Sequence, residues 1–348
     1  MKGYLKKLIV IMLAACLFLA VSCDSQLMRQ GQGKVHIVVA GLDYTNTQYV
    51  PTLTGTLPDA KEICACLEEQ YRNAGVPFET VCLLAEGELA NHHEENYPSA
   101  TNILKTIAAL ETSPEDLIVF FYSGHGGAYT DGEGKPTGRA FLACGMEIGL
   151  PYGLYTNGRL RDTWFEEMLA MGYTADEIVT CASGTFPYTD LPMENLFMTL
   201  SAKNCRSVAM IDACYAGALT DLVPEKETGW KEAFEDTLLA AADYRGLSVI
   251  ASSTAYEESL ICSVINEDGE RERHSFFTYD LLDAMGWIHA TERQSTYDGN
   301  GKTGGYVAKY RSGLTVQNLR EAIRVQSTGA QTYTAAFTGL DTVLIPER

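Results

Sequence analysis

Two apolar runs, each ending in residues that can do chemistry, constrain the fold of this 348-residue chain most strongly. Ser207–Ile211 leads directly into an aspartate, an alanine and Cys214, and Leu117–Tyr122 leads into Ser-Gly and His125. Continuous apolar runs of this length are typical of buried parallel strands. Open α/β sheets carry their chemistry at the carboxyl ends of such strands. Cys214 and His125 would therefore meet if the two strands are neighbours.

Each residue alone also has a simpler structural interpretation. A cysteine in an apolar run is usually a small buried hydrophobe, and a histidine after a strand is usually a satisfied polar group. The pair is more specific, because both residues follow an apolar run and both have glycines close by in the sequence. Asp212 also precedes the cysteine by two positions. Together these features favour a thiol–imidazole dyad over two unrelated packing residues.

The rest of the chain alternates between strand and helix patterns. Strands are predicted at 34–44, 79–84 and 247–253, and helices at 57–72, 101–110 and 278–285. Alternation of this kind implies right-handed crossovers and a mainly parallel sheet. The sequence therefore predicts an α/β fold in which a mainly parallel central sheet has helices on both faces. Further predictions are a loop at 128–138, helices at 159–171 and 314–326, and a final edge strand at 336–345.

The motifs Tyr122-Ser-Gly-His-Gly126 and Asp212-Ala-Cys-Tyr-Ala-Gly217 resemble the His and Cys motifs of caspase-like cysteine peptidases. The aspartate before the cysteine is similar to the metacaspase and bacterial caspase-like branch, since true caspases read Gln-Ala-Cys there. The resemblance runs from about Lys34 to about Met285 and implies a three-layer caspase-like fold. Two features depart from it: Ala216 stands where this branch usually has serine, and 89 positions separate His125 from the cysteine, against about 50 in caspases. The longer spacing predicts an insertion at about 147–191.

The resemblance also implies roles for particular residues. The backbone N–H groups of Gly126 and Cys214 would form the oxyanion hole. Asp59 and Asp212 would line an acidic pocket that takes Arg or Lys before the scissile bond, because a cation held in a pocket needs carboxylate partners. For Asp59 an alternative is a helix-start acid favoured by the helix dipole. Asp43, at the end of the first strand, is a weaker pocket candidate.

Calcium is the one cofactor that the resemblance raises. Many metacaspases bind it through carboxylates that follow the His strand, and Asp131, Glu133 and Glu147 lie in that region. They do not reproduce the family's cluster, so we interpret them as solvated loop acids. No metal site is assigned, and calcium is left open as a cofactor.

The N-terminus has the pattern of an export signal. Lys2, Lys6 and Lys7 precede an apolar stretch at 8–21, which is too short for a comfortable membrane span. Cys23 follows in a context that resembles a bacterial lipoprotein signal, with cleavage by an ordinary signal peptidase nearby as the alternative. The predicted organisation is therefore a signal peptide at 1–22, a tether at 23–33, a peptidase domain at 34–290 and a C-terminal extension at 291–348 packed on the same domain. The protein is expected outside the cytoplasm, lipid-anchored to a bacterial membrane.

Net charge limits the classes of partner, and cysteine content limits the disulfide and metal sites that the chain can form. A formal net charge of −19 disfavours nucleic acid and anionic lipid headgroups. It suits a basic peptide substrate, and solubility alone is the alternative explanation of an acidic surface. The ten cysteines show no CxxC pair and no disulfide framework, and we interpret Cys64 and Cys66 as packing residues in a helix.

These observations predict a cysteine endopeptidase that cleaves after Arg or Lys. A clostripain-like or legumain-like peptidase shares the His-Gly and Cys pattern and is the alternative among enzymes. A catalytically silent caspase-like module that binds peptides at a membrane is the alternative among non-enzymes. The polar stretch 267–274 is predicted to be a loop, with Arg271 and Arg273 as candidate self-cleavage points.

The lipoprotein hypothesis predicts that Cys23→Ser releases the protein from the membrane fraction, because the substitution removes the sulfur that would carry the lipid. The measurement is the distribution of the protein between membrane and soluble fractions after cell lysis. An unchanged distribution would contradict the lipid anchor and favour another mode of attachment.

Overall fold

The computed structural model describes the residues from 33 to 347 with gaps. The described residues are 33–46, 50–88, 90, 94–130, 132–133, 136–144, 154–156, 159–175, 178, 190–216, 244, 246–253, 258–265, 271–288, 307–308, 311–326, 333–337 and 341–347. The predicted signal peptide and most of the predicted tether, including Cys23, lie outside them, and so does about half of the predicted insertion. No helix among the described residues is both long enough and apolar enough to span a membrane.

Strands and helices alternate from residue 35 to residue 123, as the patterns predicted. The helices are α1 (Thr56–Ala74), α2 (Ala100–Ala109), α3 (Trp164–Ala170), α4 (Met193–Ser201), α5 (Phe276–Ala284) and α6 (Val316–Gln326). The strands up to residue 212 are β1 (Val35–Leu42), β2 (Phe78–Ala85), β3 (Leu117–Ser123), β4 (Gly126–Thr130), β5 (Pro136–Ala143), β6 (Tyr155–Thr156), β7 (Arg159–Leu160), β8 (Asp190–Pro192) and β9 (Arg206–Asp212). They are followed by β10 (Leu247–Ala251), β11 (Ile261–Ile265), β12 (Arg271–Ser275), β13 (Trp287–Ile288), β14 (Val307–Ala308), β15 (Leu314–Thr315), β16 (Thr334–Phe337) and β17 (Val343–Ile345).

The central sheet has six strands in the order β16-β10-β9-β3-β1-β2. Neighbouring strands from β10 to β2 are parallel, and β16 pairs antiparallel with β10 at one edge. The two strands that end in the predicted chemical residues, β3 and β9, are direct neighbours in the middle of this sheet. The predicted mainly parallel α/β sheet is therefore confirmed.

The sheet is covered on both faces, which gives three layers. Alternate residues of β1 and β3 contribute to two separate apolar clusters, as the period of two in a strand requires. On one face the sheet packs against α2 and α4. On the other it packs against α1, α5 and α6. Every residue of β1 is buried, which explains why its sequence is a nearly continuous apolar run.

The parts of 291–348 that the structure describes contribute to this same core. Leu319 and Ile323 of α6 and Leu344 of β17 are fully buried in the cluster under α1. The strand β16 extends the central sheet itself. The predicted single edge strand at 336–345 is wrong, because two strands occupy this region: β16 at the sheet edge and β17, which pairs with β15.

Three other local predictions are also corrected. The predicted loop at 128–138 contains β4 and the start of β5, which form an antiparallel pair after His125. The helix predicted at 159–171 is shorter, because Arg159–Leu160 forms strand β7 and α3 begins at Trp164. The polar stretch at 267–274 is a strand from Arg271 onward, paired with β11. In each case pairing with a strand nearby in the sequence overrode the local propensity.

The packing of α1 on the sheet depends on a glycine in β1. A Cβ built on Gly41 would lie 2.7 Å from the Cβ of Ala60 in α1, a distance that real Cβ atoms do not tolerate. Gly41→Ala should therefore lower the free energy of unfolding by about 1–3 kcal/mol, because α1 must move away from the sheet. Chemical denaturation measures this change.

The matched control is Gly132→Ala, since a Cβ at Gly132 would meet nothing within 4 Å. We expect that substitution to change stability by less than about 0.5 kcal/mol. Equal effects of the two substitutions would contradict the close approach of α1 to β1.

Candidate active site

The carboxyl ends of β3 and β9 bring the two predicted chemical residues to the same edge of the sheet. Ser123 lies opposite Asp212 in the register of the two strands. His125 and Cys214 are each two residues further along the chain. The N–H of Gly124 donates to the carbonyl of Asp212 at 3.1 Å, so the pairing continues past the ends of the strands.

The loops that follow the two strands are in direct backbone contact. A Cβ built on Gly126 would lie 2.4 Å from the carbonyl oxygen of Cys214 and 2.9 Å from the Cβ of Ala213. Only glycine fits at this position without moving one loop away from the other. Close packing of the two loops therefore requires a glycine after the histidine, which the sequence alone did not reveal.

The imidazole of His125 is held by two contacts from the start of the chain. Its backbone N–H donates to the hydroxyl of Tyr44 at 2.7 Å, and the two rings lie with their centroids 4.6 Å apart. The ring Nε2 lies 2.8 Å from the carbonyl oxygen of Pro51. A carbonyl can only accept, so Nε2 must carry the proton in this arrangement. The lone pair of the neutral ring is then on Nδ1.

Burial keeps both partners of the predicted dyad neutral in this state. Burial lowers the pKa of His125 from its usual value, an effect that the Pro51 carbonyl opposes. Burial also raises the pKa of the Cys214 thiol, and the nearby carboxylates of Glu258 and Asp212 raise it further. The geometry favours a protonated thiol and a neutral imidazole that can act as a base.

The turn that carries Cys214 is clamped by two fully buried serines at the end of β10. The hydroxyls of Ser252 and Ser253 each donate to the carbonyl of Ala213 at 3.0 Å. Ser252 accepts from the N–H of Ala213 at 3.1 Å, and Ser253 accepts from the N–H of Ala216 at 3.2 Å. The neighbouring strand therefore satisfies the backbone groups on both sides of the thiol.

Backbone strain is found at two residues of the same site. Among the described residues that are not glycine, Tyr44 and Tyr215 have positive φ angles of 60° and 59°. Such conformations cost about 1–3 kcal/mol each and persist where the surroundings enforce them. Tyr44 contacts His125, and Tyr215 follows the thiol directly. The strain thus lies on either side of the predicted dyad.

Asp212 is buried beneath this turn and accepts from three hydroxyl groups. Thr278 donates to its carboxylate at 2.6 Å and Ser259 at 2.8 Å, and Ser275 donates a further hydrogen bond. Burial raises the pKa of Asp212, while the hydroxyl groups oppose that rise.

Asp59, in the first turn of α1, is fully buried beside it. Its carboxylate lies 2.8 Å from Nδ1 of His274 and accepts from the N–H of Ser275 at 3.2 Å and the hydroxyl of Ser123 at 3.4 Å. Burial raises the pKa of Asp59 to about 7, His274 opposes the rise, and the nearby charge of Asp212 adds to it.

The two aspartates therefore share one polar cluster between the starts of α1 and α5. Ser275 bridges them, because its N–H donates to Asp59 and its hydroxyl donates to Asp212. The same hydroxyl accepts from the N–H of Thr278 and caps α5. Two adjacent carboxylates are thus held in place with little exposure.

The other predicted residues have simpler surroundings. The carboxylate of Asp43 accepts from the N–H groups of Thr45 and Gly87 at 2.9 and 3.2 Å, so it joins the segment after β1 to the segment after β2. Glu133 is exposed, while Asp131 and Glu147 lie outside the described residues. The described part of the chain contains no group of three or more potential metal ligands.

Several residues of this site were not predicted from the sequence. The contacts of Tyr44, Pro51 and His274 join segments far apart in the chain, so no local pattern announced them. Ser275 did carry a signal, since a serine just before an apolar helix is typical of an N-cap. Its second role, toward the two aspartates, depends on the tertiary structure alone.

Comparisons with known proteins agree with the motifs. Residues 36–186 match the family model described as the metacaspase, peptidase C14 domain. The matched range includes Asp59 and His125 and ends before Cys214.

Two curated relatives cover a similar share of the chain. A metacaspase-1 from Debaryomyces hansenii is 23% identical over 192 residues, which is 55% of this chain and 34% of that protein. A metacaspase-1 from Cryptococcus neoformans var. neoformans serotype D is 25% identical over 195 residues, which is 56% of this chain and 35% of that protein. The match thus spans about a third of the length of each relative.

Two solved structures resemble the chain more loosely. Protein GSU0716 from Geobacter sulfurreducens superimposes with a TM-score of 0.46 at 14% identity, over 90% of this chain and 97% of that one. Caspase-1 from Spodoptera frugiperda superimposes with a TM-score of 0.41 at 10% identity, over 91% of each chain.

The burial of Asp59 predicts a dependence of stability on pH. Its pKa in the folded protein, about 7, lies above its usual value of 3.8, so the folded state favours the protonated carboxyl. The stabilisation is full below about pH 4 and is lost as the pH rises through 7. Relative to Asp59→Asn, the wild-type free energy of unfolding should fall by about 2–4 kcal/mol between pH 4 and 7.

The measurement is chemical denaturation of both proteins across this pH range. His274, Asp212 and Glu62 remain in the variant, so the difference between the two curves reports the titration of Asp59. Parallel curves would contradict the buried, protonated carboxyl.

Proposed function

We propose that this chain belongs to the metacaspase branch of the caspase-like family and is a cysteine endopeptidase that cleaves peptide bonds after Arg or Lys. The observation that carries the proposal is the register of β3 and β9, which ends the two strands side by side. The close approach of Gly126 to the Cys214 backbone supports it further. The family match supports a peptidase, and the acidic cluster supports the basic specificity.

In the proposed reaction His125 acts as the general base. Its Nε2 donates to the Pro51 carbonyl, which leaves Nδ1 to take the thiol proton of Cys214 as a peptide carbonyl approaches. The sulfur then bonds to the carbonyl carbon, and the carbonyl electron pair moves onto the oxygen. This assignment agrees with the raised pKa of the thiol and the lowered pKa of the imidazole, because neither group needs to be charged beforehand.

The oxyanion would be stabilised by the backbone N–H groups of Gly126 and Cys214. Each such donor is typically worth ~10²–10³ in rate. Collapse of the tetrahedral intermediate expels the amine, which takes the proton from Nδ1 of His125. A water molecule, deprotonated by the same nitrogen, then hydrolyses the thioester and returns the free thiol.

The acidic cluster of Asp59 and Asp212 is proposed to recognise the basic side chain before the scissile bond. The two carboxylates lie close enough for each charge to raise the other's energy, since Asp212 raises the pKa of Asp59. A guanidinium or ammonium group placed against them would remove that repulsion. A carboxylate in the same place would increase it.

We also propose that the peptidase acts outside the cytoplasm, attached by a lipid at Cys23. The basic N-terminus, the short apolar stretch and the cysteine that follows it support this location. Peptides and proteins with basic residues would then be the substrates, and the acidic net charge of the chain is compatible with them.

The dyad makes a direct prediction. Cys214→Ala and His125→Ala should each lower kcat/KM by at least ~10³-fold, and the double variant should be little worse, because residues that act as a unit are not additive. The measurement is hydrolysis of a fluorogenic peptide that carries Arg before the scissile bond. His125→Ala should also slow alkylation of Cys214 by iodoacetamide, which separates loss of the base from loss of binding.

The matched control is Cys205→Ala. Cys205 is a buried cysteine just before β9, at the opposite end of the strand that leads to Cys214. It should retain activity within about threefold. Near-wild-type activity in either dyad variant would overturn the dyad, and a wild-type protein silent on every peptide would favour the binding module instead.

The pocket predicts a strong preference for charge. Peptides that differ only in the residue before the scissile bond should show kcat/KM at least ~10³-fold higher for Arg than for Asp. Arg should also exceed Lys, because its planar group can bond two carboxylates at once. Asp212→Asn should weaken this preference while Cys214 still reacts with iodoacetamide.

The control here is Asp43→Asn, an acid at the same edge of the sheet whose carboxylate accepts from the backbone N–H groups of Thr45 and Gly87. It should leave the Arg-to-Asp ratio unchanged. Cleavage after Leu as readily as after Arg would contradict the acidic pocket even with an intact dyad.

A further inference from the structure

Two cysteines on adjacent elements lie with their sulfur atoms in close contact. Cys64 in α1 and Cys82 in β2 have their Sγ atoms 3.1 Å apart. The two residues are 18 positions apart in the sequence, in two elements that both pack on β1. The sequence pattern alone marked Cys64 as a packing residue and gave no reason to join it to Cys82.

The surroundings of the pair differ from those of the nearby Cys66. Cys66 is fully buried and packs in the core under α1. Cys64 and Cys82 are both partly exposed, and β2 is the edge strand of the central sheet. A small oxidant or the active site of another protein can therefore reach this pair of thiols.

The elements that carry the pair need little movement to join it. The strand β2 is in continuous parallel register with β1 over its eight residues, and α1 packs closely on β1 through Ala60 and Gly41. A disulfide bond has an S–S length of about 2.05 Å, so the sulfur atoms must approach by about 1 Å. Rotation of the two side chains can supply that distance, because each is a single sulfur on a Cβ.

We propose that Cys64 and Cys82 form a disulfide bond that ties α1 to the edge strand β2. The bond is a covalent modification separate from the proposed peptidase chemistry, and it does not depend on that function. It would fix α1 one turn after Asp59, the residue at which the helix contributes to the acidic cluster.

The bond forms by thiol–disulfide exchange with a disulfide oxidant, either a small-molecule disulfide or a disulfide oxidoreductase. Cys82 is the first nucleophile, because its hydrogen bond with Cys64 lowers the pKa of the Cys82 thiol. Its thiolate attacks the oxidant and expels one thiol, which leaves a mixed disulfide. Cys64 then loses its proton and attacks the Cys82 sulfur. The two protein thiols give up two electrons and two protons, and the oxidant leaves as two thiols.

The carboxylate of Glu68 affects both of these steps. The Cys64 Sγ lies 4.0 Å from the carboxylate of Glu68, and Glu68 disfavours the thiolate at both cysteines. The carboxylate is also the nearest acceptor for the Cys64 proton in the second step. Exchange should therefore be slow at acidic pH and speed up as the pH rises.

The test maps the oxidation state of each cysteine in the full-length protein. Purified reduced protein is incubated with oxidised glutathione, denatured, and its free thiols are blocked with iodoacetamide. It is then reduced and labelled with N-ethylmaleimide, and the peptides are weighed. We expect N-ethylmaleimide, the second label, on Cys64 and Cys82, and iodoacetamide, the first label, on Cys66. A peptide pair joined through residues 64 and 82 should appear when the reduction is omitted.

Variants separate this bond from other oxidation. Cys66→Ser should leave the joined peptides unchanged, and Cys64→Ser should leave Cys82 open to the first label or to a glutathione adduct. Iodoacetamide on both Cys64 and Cys82 in the oxidised wild type would overturn the proposal. A mixed disulfide of Cys82 with glutathione that never passes on to Cys64 would overturn it too.

Thermal unfolding gives a second, independent measure. A cross-link that closes a loop of this size should raise the Tm of the oxidised protein by about 5 °C or more over the reduced protein. The double variant Cys64→Ser/Cys82→Ser should show no such dependence on reductant, whereas Cys66→Ser should keep it. If the joined 64–82 peptide is found but oxidised and reduced wild type have equal Tm values, the bond does not stabilise the packing of α1 on β2, and that part of the proposal is overturned.

Discussion

The parallel pairing of β3 with β9 is the constraint on which the site depends. Side chains alternate between the two faces of a strand, so a slip of one residue would turn the apolar residues of β9 away from their core cluster. Burial on both faces therefore fixes the register that aligns Ser123 with Asp212. His125 and Cys214 each lie two residues beyond this aligned pair, so the same register places them. Precision at the edge of the sheet is thus a consequence of the core beneath it.

The polar cluster below the dyad shows how two carboxylates can share a buried space. An unpaired buried charge costs several kcal/mol, and here Asp59 and Asp212 are met by donors from β3, β12 and α5. The start of α5 supplies Ser275 and Thr278, and β12 supplies His274. Because Ser275 also caps α5, the position of this helix and the positions of both aspartates are set by one residue. The cluster therefore couples the helix layer to the chemical edge of the sheet.

The sequence predicted the features that follow from clear apolar patterns and missed those with ambiguous composition or with contacts far apart in the chain. The apolar runs at 117–122 and 207–211 predicted both strands and the positions of the two predicted catalytic residues, because buried parallel strands have a distinctive composition. The hairpin of β4 and β5 was missed, since its glycine-rich composition is also typical of a loop. Tyr44 and Pro51 contact His125 from more than 70 residues away. No periodicity or spacing encodes such a contact, so the orientation of the imidazole had to come from the structure.

The buried cluster also bears on how a basic side chain would be recognised. The carboxylates of Asp59 and Asp212 already accept hydrogen bonds, so a guanidinium group would add charge rather than fill empty acceptor positions. Its effect would be largest on Asp59, whose pKa is raised to about 7 by burial and by the neighbouring acid. A bound cation favours the ionised carboxyl and lowers that pKa toward its usual range. Recognition of a basic residue near neutral pH would therefore be linked to the release of a proton from the cluster, whereas an acidic or neutral residue would leave that proton in place.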